Sequence, residues 1–205
     1  MTRGRPREFD TDTALDQALQ LFARDGFVQA SVQDLADSMG ICKPSLYAAY
    51  GNKEALFIEA LRRYAAAGDA RRSALLDGEP DGERAVMRLL EDAAQSFTTC
   101  DSARGCMLVA EASSQAARST AIREALAAAM QEGNAMLCRR LQRAVHDGHL
   151  APDTDIDAMT GYLGALMAGL SVMARNGAST EQLRSMVQTA MRAWQRPVLQ
   201  TATTR

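Results

Sequence analysis

The side chains that could do covalent chemistry are few and scattered. Cys106 follows Gly105 at the start of an expected helix, where backbone N–H groups and the helix dipole favour a thiolate, and Arg104 adds positive charge. That pattern points to a thiol open to oxidants or electrophiles; its alternative is a small buried hydrophobe beside Met107, Leu108 and Val109. Cys42 at the head of a second short helix is also open to modification, or is simply a tolerated small residue. His146-Asp147-Gly148-His149 has H-x-x-H spacing, but with no cysteine near it in sequence it reads as the polar end of a helix rather than a metal site.

Catalysis finds little support. The chain has only two histidines, no G-x-S-x-G, no phosphate-binding glycine loop and no metal-ligand cluster, so neither an enzyme, a metal nor a cofactor is expected. What remains is recognition. Arg3, Arg5 and Arg7 alternate with Gly4 and Pro6, an extended basic arm suited to a narrow minor groove, or else a solvated terminus.

The stretch from Ser31 to Tyr50 reads as two short helices joined at Gly40. Ser31 can cap the first with Asp34 three residues on, and Val32, Leu35, Ala36 and Met39 recur at helical spacing. Gly40 tolerates positive φ, and Pro44 suits the first turn of the next helix, where its missing N–H costs nothing. At 100° per residue Leu46 and Tyr50 turn inward with Ile41 before them, while Pro44, Ser45 and Ala48 turn outward and Tyr47 lies on the flank. An exposed face this slim can enter a DNA major groove.

Elements that position this pair follow on either side. Asp10 or Thr11 caps a helix carrying Leu15, Ala18, Leu19 and Phe22 and stopped at Asp25-Gly26. Beyond Gly51-Asn52, a long helix with Phe57, Leu61 and Tyr64 on one face runs to about residue 76 and breaks at the Gly/Pro/Asp cluster of residues 77–82. Further helices are expected at about 83–100, 104–116, 119–147, 155–176 and 180–195. The spacing therefore predicts an all-α chain: an N-terminal three-helix helix-turn-helix domain over 1–52 with its basic arm, and a further helical body over 53–205.

Composition agrees. The chain has 205 residues, 47% of them apolar and only 5% aromatic, enough for a sizeable core built from helix-forming Ala, Leu, Met, Arg and Gln. No apolar run has the length of a bilayer span and the start lacks a signal-peptide segment, so a cytoplasmic protein without a membrane partner is expected. Cys42, Cys100, Cys106 and Cys138 form no C-x-x-C pair, and no disulfide framework is expected. A net charge of −2 gives no global attraction to nucleic acid, so any such role rests on local charge.

The residues Gly26-Phe27, Ser31, Asp34-Leu35-Ala36, Gly40-Ile41, Leu46-Tyr47, Tyr50 and Asn52 through Phe57 together resemble the DNA-binding region of the TetR/AcrR family of bacterial transcriptional regulators. The resemblance covers about the first quarter of the chain; over the rest only helix number and length agree. It implies a homodimer, usually a repressor, with two recognition helices on a palindromic double-stranded DNA operator, and a body that answers a small-molecule or electrophile effector. It places Lys43, Pro44 and Ser45 at the base-reading end of the recognition helix, Tyr47 and Lys53 on phosphates, and Ser31 and Gln33 at the backbone-facing start of the preceding helix. The chemistry fits, since lysine donates to guanine O6 and N7 and proline packs a thymine methyl. Ala48 and Ala49 depart from the larger polar residues common there, which shifts part of the specificity to DNA shape and the arginine arm.

In the body, residues 161–170 are apolar almost all round and thinned by Gly161, Gly164, Ala165, Ala168 and Gly169, which calls for burial by a closely packed helix. Paired with the stripe Leu183, Met186, Val187, Ala190, Met191 and Trp194, this suggests a two-fold interface, as in the family, or an intramolecular core. Tyr64, Phe97, Cys106, Met107, Met130 and Tyr162 are candidate effector contacts, with further methionines at 136, 159, 167 and 173. Gly105-Cys106-Met107-Leu108-Val109 resembles the G-C-x-L-V pattern of a family branch that includes electrophile and oxidant sensors. The alternative to the regulator is a helical interaction module without sequence-specific DNA binding.

Overall fold

A computed structural model describes residues 10–99, 103–192 and 194; Arg3, Arg5, Arg7 and Cys100 lie outside them. All the described regular structure is helical, in the order α1 (Thr11–Gln29), α2 (Val32–Ser38), α3 (Lys43–Tyr50), α4 (Lys53–Asp77), α5 (Gly82–Thr99), α6 (Met107–Ala112), a 3-10 turn (Gln115–Arg118), α7 (Thr120–His146), α8 (Ile156–Arg175) and α9 (Thr180–Met191). Asp10 starts α1 by accepting the Asp12 and Thr13 amides at 3.0 and 3.3 Å. Ala14, Ala18, Leu21 and Phe22 form its buried face. Gly26 breaks the helix at φ 78° and ψ 167°, a backbone that a side chain would strain, and one further turn follows to Gln29.

The next two helices form as their spacing predicts. Ser31 and Asp34 make a reciprocal capping box on α2. Gly40 reverses the chain at φ 66°, with the Ile41 amide donating back to the Ala36 carbonyl at 3.0 Å. Pro44 lies in the first turn of α3, Leu46 and Tyr50 are buried, and the Tyr50 hydroxyl donates to the Thr11 carbonyl at 3.2 Å. Asn52 then caps α4 through the Ala55 amide at 2.8 Å.

Two apolar cores carry the molecule. In the first, Phe57 of α4 meets Phe22 edge-on and Phe27 at a tilt, both with ring centroids 4.9 Å away, and Leu35, Leu46, Leu56 and Leu61 close around them. Arg63 adds ion pairs to Asp12 and Asp16, exposed enough to contribute little beyond alignment. This core does not stop at α4: Met107 and Leu108 of α6 and Ile122 and Leu126 of α7 are buried in it. The helix-turn-helix therefore rests on the body through α6 and the 3-10 turn as well as through α4.

The second core packs α5, the later half of α7, α8 and α9. Buried Arg140 holds the α4–α5 connection by donating to the carbonyls of Leu76, Glu79 and Pro80 at 2.9, 3.1 and 3.0 Å. Gly82 donates its amide to His149 Nδ1 at 3.4 Å, and Trp194 Nε1 donates to the His149 carbonyl at 2.9 Å. His149 is thus a packing residue of this corner.

Three expectations are corrected. The helix expected over 104–116 is split, because Ser114 turns its hydroxyl onto the Glu111 carbonyl and caps the 3-10 turn instead. The stripe Leu183, Val187, Met191 and Trp194 is not an outer face: it is buried inside the protomer, covering α5 and α8. Finally, α8 is long and apolar enough to cross a membrane, with mean hydropathy 1.3, and only 22% of that window is buried within the chain. A Cβ added at Gly161 or Gly169 would meet no atom within 4 Å, so the thin side of α8 is open.

Phe57 is fully buried between two rings. Phe57→Ala is expected to lower unfolding free energy by about 3–5 kcal/mol, read from urea denaturation followed by circular dichroism.

Candidate functional site

The exposed side of α3 is built by exclusion. With Leu46 0% and Tyr50 8% accessible, the same eight residues must present Lys43, Pro44, Ala48 and Ala49 outward, and Tyr47 stands 47% exposed on the flank. Between α2 and α3 lies an open groove of about 610 Å³ lined by Gln33, Asp37, Cys42, Lys43 and Pro44. Ser31 is engaged in its own cap, while Gln33 donates to Asp37 at 2.7 Å across one turn of α2. Both carboxylates of α2 are thereby occupied, Asp34 by Ser31 and Asp37 by Gln33.

Two groups at the edges of this face have altered acidity. The exposed Cys42 thiol lies 3.1 Å from Ser45 Oγ, and hydrogen bonds from the Ser45 side chain and then its amide hold the thiol below its ordinary pKa. Lys53 sits half-buried at the head of α4 with Nζ 4.6 Å from the centre of the Phe27 ring. Burial pushes its ammonium below the usual lysine value, against the opposing charge of Glu111. Lys53 is thus partly committed to the protein, unlike Lys43.

A second constellation surrounds Cys106. The Tyr64 hydroxyl donates to Cys106 Sγ at 3.7 Å and accepts the Met107 amide at 3.4 Å. Burial first, then charge on Cys106 and the hydrogen bond to it, push the Tyr64 phenol well above its ordinary pKa, so it stays a proton donor. The Cys106 amide donates to buried Ser171 Oγ of α8 at 2.8 Å. Arg104 does not face the thiol as its place in sequence suggested; its guanidinium donates to the Ala174 carbonyl at 2.8 Å and to that of Ala178, capping α8.

Of the six candidate effector contacts, Tyr64, Cys106, Met107 and Met130 gather at the first core. Phe97 packs against the second core, and Tyr162 stands 42% exposed on the open side of α8. None of the six lines the cleft of about 520 Å³ between α4 and α7, which Ile58, Leu61, Arg62, Asp69 and Glu124 border over a floor of alanines. Alanine runs at 65–67 and 127–129 were its only signal in sequence. Among the described residues no three His, Cys, Asp or Glu side chains group as a metal site.

The family of bacterial regulatory proteins named tetR matches residues 14–60, and the tetracyclin repressor-like C-terminal domain matches residues 82–190. The HTH-type transcriptional repressor ComR of Escherichia coli strain K12 is 35% identical over 198 residues, covering 94% of this chain and 92% of ComR. The chain belongs to the TetR family. A second relative from the same organism, the HTH-type transcriptional repressor BdcR, is 33% identical and covers 88% of this chain and 86% of its own. Among solved TetR-family structures, a cysteine mutant of the regulator CifR complexed with 26-bp double-strand operator DNA is 38% identical. It superposes with a TM-score of 0.85 over 94% of this chain and 100% of that one. The all-α architecture, a helix-turn-helix followed by a helical body, is the TetR fold.

Hydrogen bonding to Ser45 makes Cys42 a readily alkylated thiol. A lowered pKa leaves more thiolate at pH 7.5, so iodoacetamide is expected to modify Cys42 faster than in Ser45→Ala, whose pH–rate midpoint moves upward. Mass spectrometry of the Cys42 peptide reads both.

Proposed function

We propose that this chain is a transcriptional regulator, acting as a repressor, that binds a palindromic operator as a homodimer and releases it when an effector reaches the helical body. The observation that carries this reading is the two-sided α3: Leu46 and Tyr50 are locked inside while Lys43, Pro44 and Ala48 face out beside exposed Tyr47. A rod with one narrow rim that nothing covers among the described residues fits a major groove. The ComR, BdcR and CifR resemblances support it, since two are repressors and the third is seen with operator DNA.

In this reading Lys43, Pro44 and Ser45 meet base edges. Tyr47 and Lys53 hold phosphates, Ser31 and Gln33 meet the backbone from α2, and Arg3, Arg5 and Arg7 reach into the neighbouring minor groove. Residues 1–52 read DNA and residues 53–205 sense and dimerise. The open, glycine-thinned side of α8, with exposed Tyr162, Val172 and Met173, supplies the two-fold contact. Tyr64, Cys106, Met107 and Met130 form the effector site; Phe97, packed against the second core, and Tyr162, on the open side of α8, stand apart from it. The Cys106 thiol answers an electrophile or oxidant. The regulator works in the cytoplasm.

Lys43→Ala and Tyr47→Ala are each expected to lower affinity at least about 10-fold for a palindrome from the DNA flanking the gene, in gel shift. Both variants should sediment as dimers; undiminished binding by both overturns α3 as the reading helix. For the thiol, a Cys42→Ser background removes the exposed sulfur beside the reading face. There N-ethylmaleimide is expected to release operator, and Cys106→Ser to abolish that release; release that persists in the variant rules Cys106 out.

A further inference from the structure

Glu111 is a buried carboxylate with no arginine or lysine in salt-bridge contact among the described residues, and only 4% of its surface is accessible. One oxygen, Oε1, accepts the Phe27 amide at 3.0 Å, and the other, Oε2, accepts the Ser114 hydroxyl at 2.8 Å. The first of these bonds joins residues 84 positions apart: Glu111 closes α6, in the body, and Phe27 follows the break in α1 at the entry to the helix-turn-helix. Gly26 is shaped to receive it, since a Cβ there would lie 3.0 Å from Glu111 Oε1, and its φ of 78° is what turns the Phe27 amide off the helix path. Phe27 in turn lies under Lys53 Nζ and against Phe57, so the turn that Glu111 grips is also the turn on which the head of α4 rests.

Leaving a buried carboxylate for a backbone amide is costly unless the amide gains by it. Here the gain is geometric: the α1 break has no helical acceptor for Phe27, and Glu111 supplies one from another part of the fold. We propose that Glu111 is a positioning residue for operator reading: from the end of α6 it fixes the Gly26–Phe27 turn, and through that turn the pose of α2 and α3. The inference rests on the reading of α3 as a DNA-binding helix. Because α6 begins beside Cys106 and carries Glu111 in its last turn, one short helix joins the thiol constellation to the turn that sets the reading head.

The test uses the full-length dimer, a fluorescein-labelled operator duplex and amide exchange of Phe27 by nuclear magnetic resonance. Glu111→Ala is expected to speed Phe27 exchange at least 10-fold and to weaken operator binding at least 10-fold. Glu111→Gln, which keeps an acceptor oxygen, is expected to stay within 3-fold of the parent in both. Ser114→Ala, which frees the second oxygen but leaves the carboxylate, is expected to weaken operator binding about 3-fold, and it carries the decision if Glu111→Ala does not fold. Operator affinity unchanged in a folded Glu111→Ala, or in Ser114→Ala when that variant must decide, overturns the proposal. Phe27 exchange unmoved in folded Glu111→Ala overturns it as well. Lys43→Ala separates the two readings: it should lose operator affinity with Phe27 exchange untouched. A parent protein that fails to bind the duplex sinks the DNA-binding reading and the positioning role with it.

Discussion

An eight-residue helix does not hold itself. Nucleation of so short a helix is unfavourable in water, so α3 exists because Leu46 and Tyr50 are pulled into the core while Pro44 and the flanking turns set its ends. Everything proposed for the outer rim depends on that inward pull. The pull comes from the aromatic cluster of Phe22, Phe27 and Phe57, which joins α1 to α4 and leaves a shelf on which α2 and α3 sit. Tyr50 adds a hydrogen bond to the first turn of α1, so the far end of α3 is fixed to the start of the bundle.

Local chemistry was the legible part of the sequence. The cap at Asp10, left open with Thr11, the cap at Ser31, the turn at Gly40 and the proline in the first turn of α3 each specify a boundary from neighbours within four residues, and the structure places each there. Inward and outward sides of α3 followed from the same short-range periodicity except at Ser45, expected outward but half-buried beside Cys42. Contacts between distant segments were not legible. Arg104 sits two residues from Cys106, yet its guanidinium is drawn to the carbonyls of Ala174 and Ala178 where α8 ends. The α9 stripe has the same apolar pattern whether it meets its own α5 or a second copy, and only the packing of α5 decides. Glu111 reads as an ordinary surface carboxylate of a short helix until the fold lays it against residue 27.

The exposed flank of α8 is the chief unbalanced feature of the protomer. Glycine inside a helix costs about 1 kcal/mol against alanine, and neither Gly161 nor Gly169 recovers that from packing within its own chain. Tyr162, Val172 and Met173 extend the same open surface. In the proposed homodimer a second copy of the chain would answer both deficits at once, because two thin helices approach more closely than two bulky ones and bury the apolar side between them. A bilayer would cover the apolar side but would not need it thin, and α8 carries Asp157 and Arg175 at its ends within a bundle that packs its other side.

In the proposed regulator, release of DNA is a question of angle rather than of local unfolding. Two recognition helices must span about 34 Å of successive major grooves, so a small rotation of each reading head about its support suffices to lose the match. The first core binds that head to α4 and α6, which differ in length. α4 has 25 residues, a long rod, whereas α6 has six and is tied by the Cys106 amide to Ser171, the Met107 amide to Tyr64 and the Glu111 carboxylate to Phe27. In this reading a displacement in the body reaches the head through the shorter element. That element is α6, and the thiol constellation lies at its first residue.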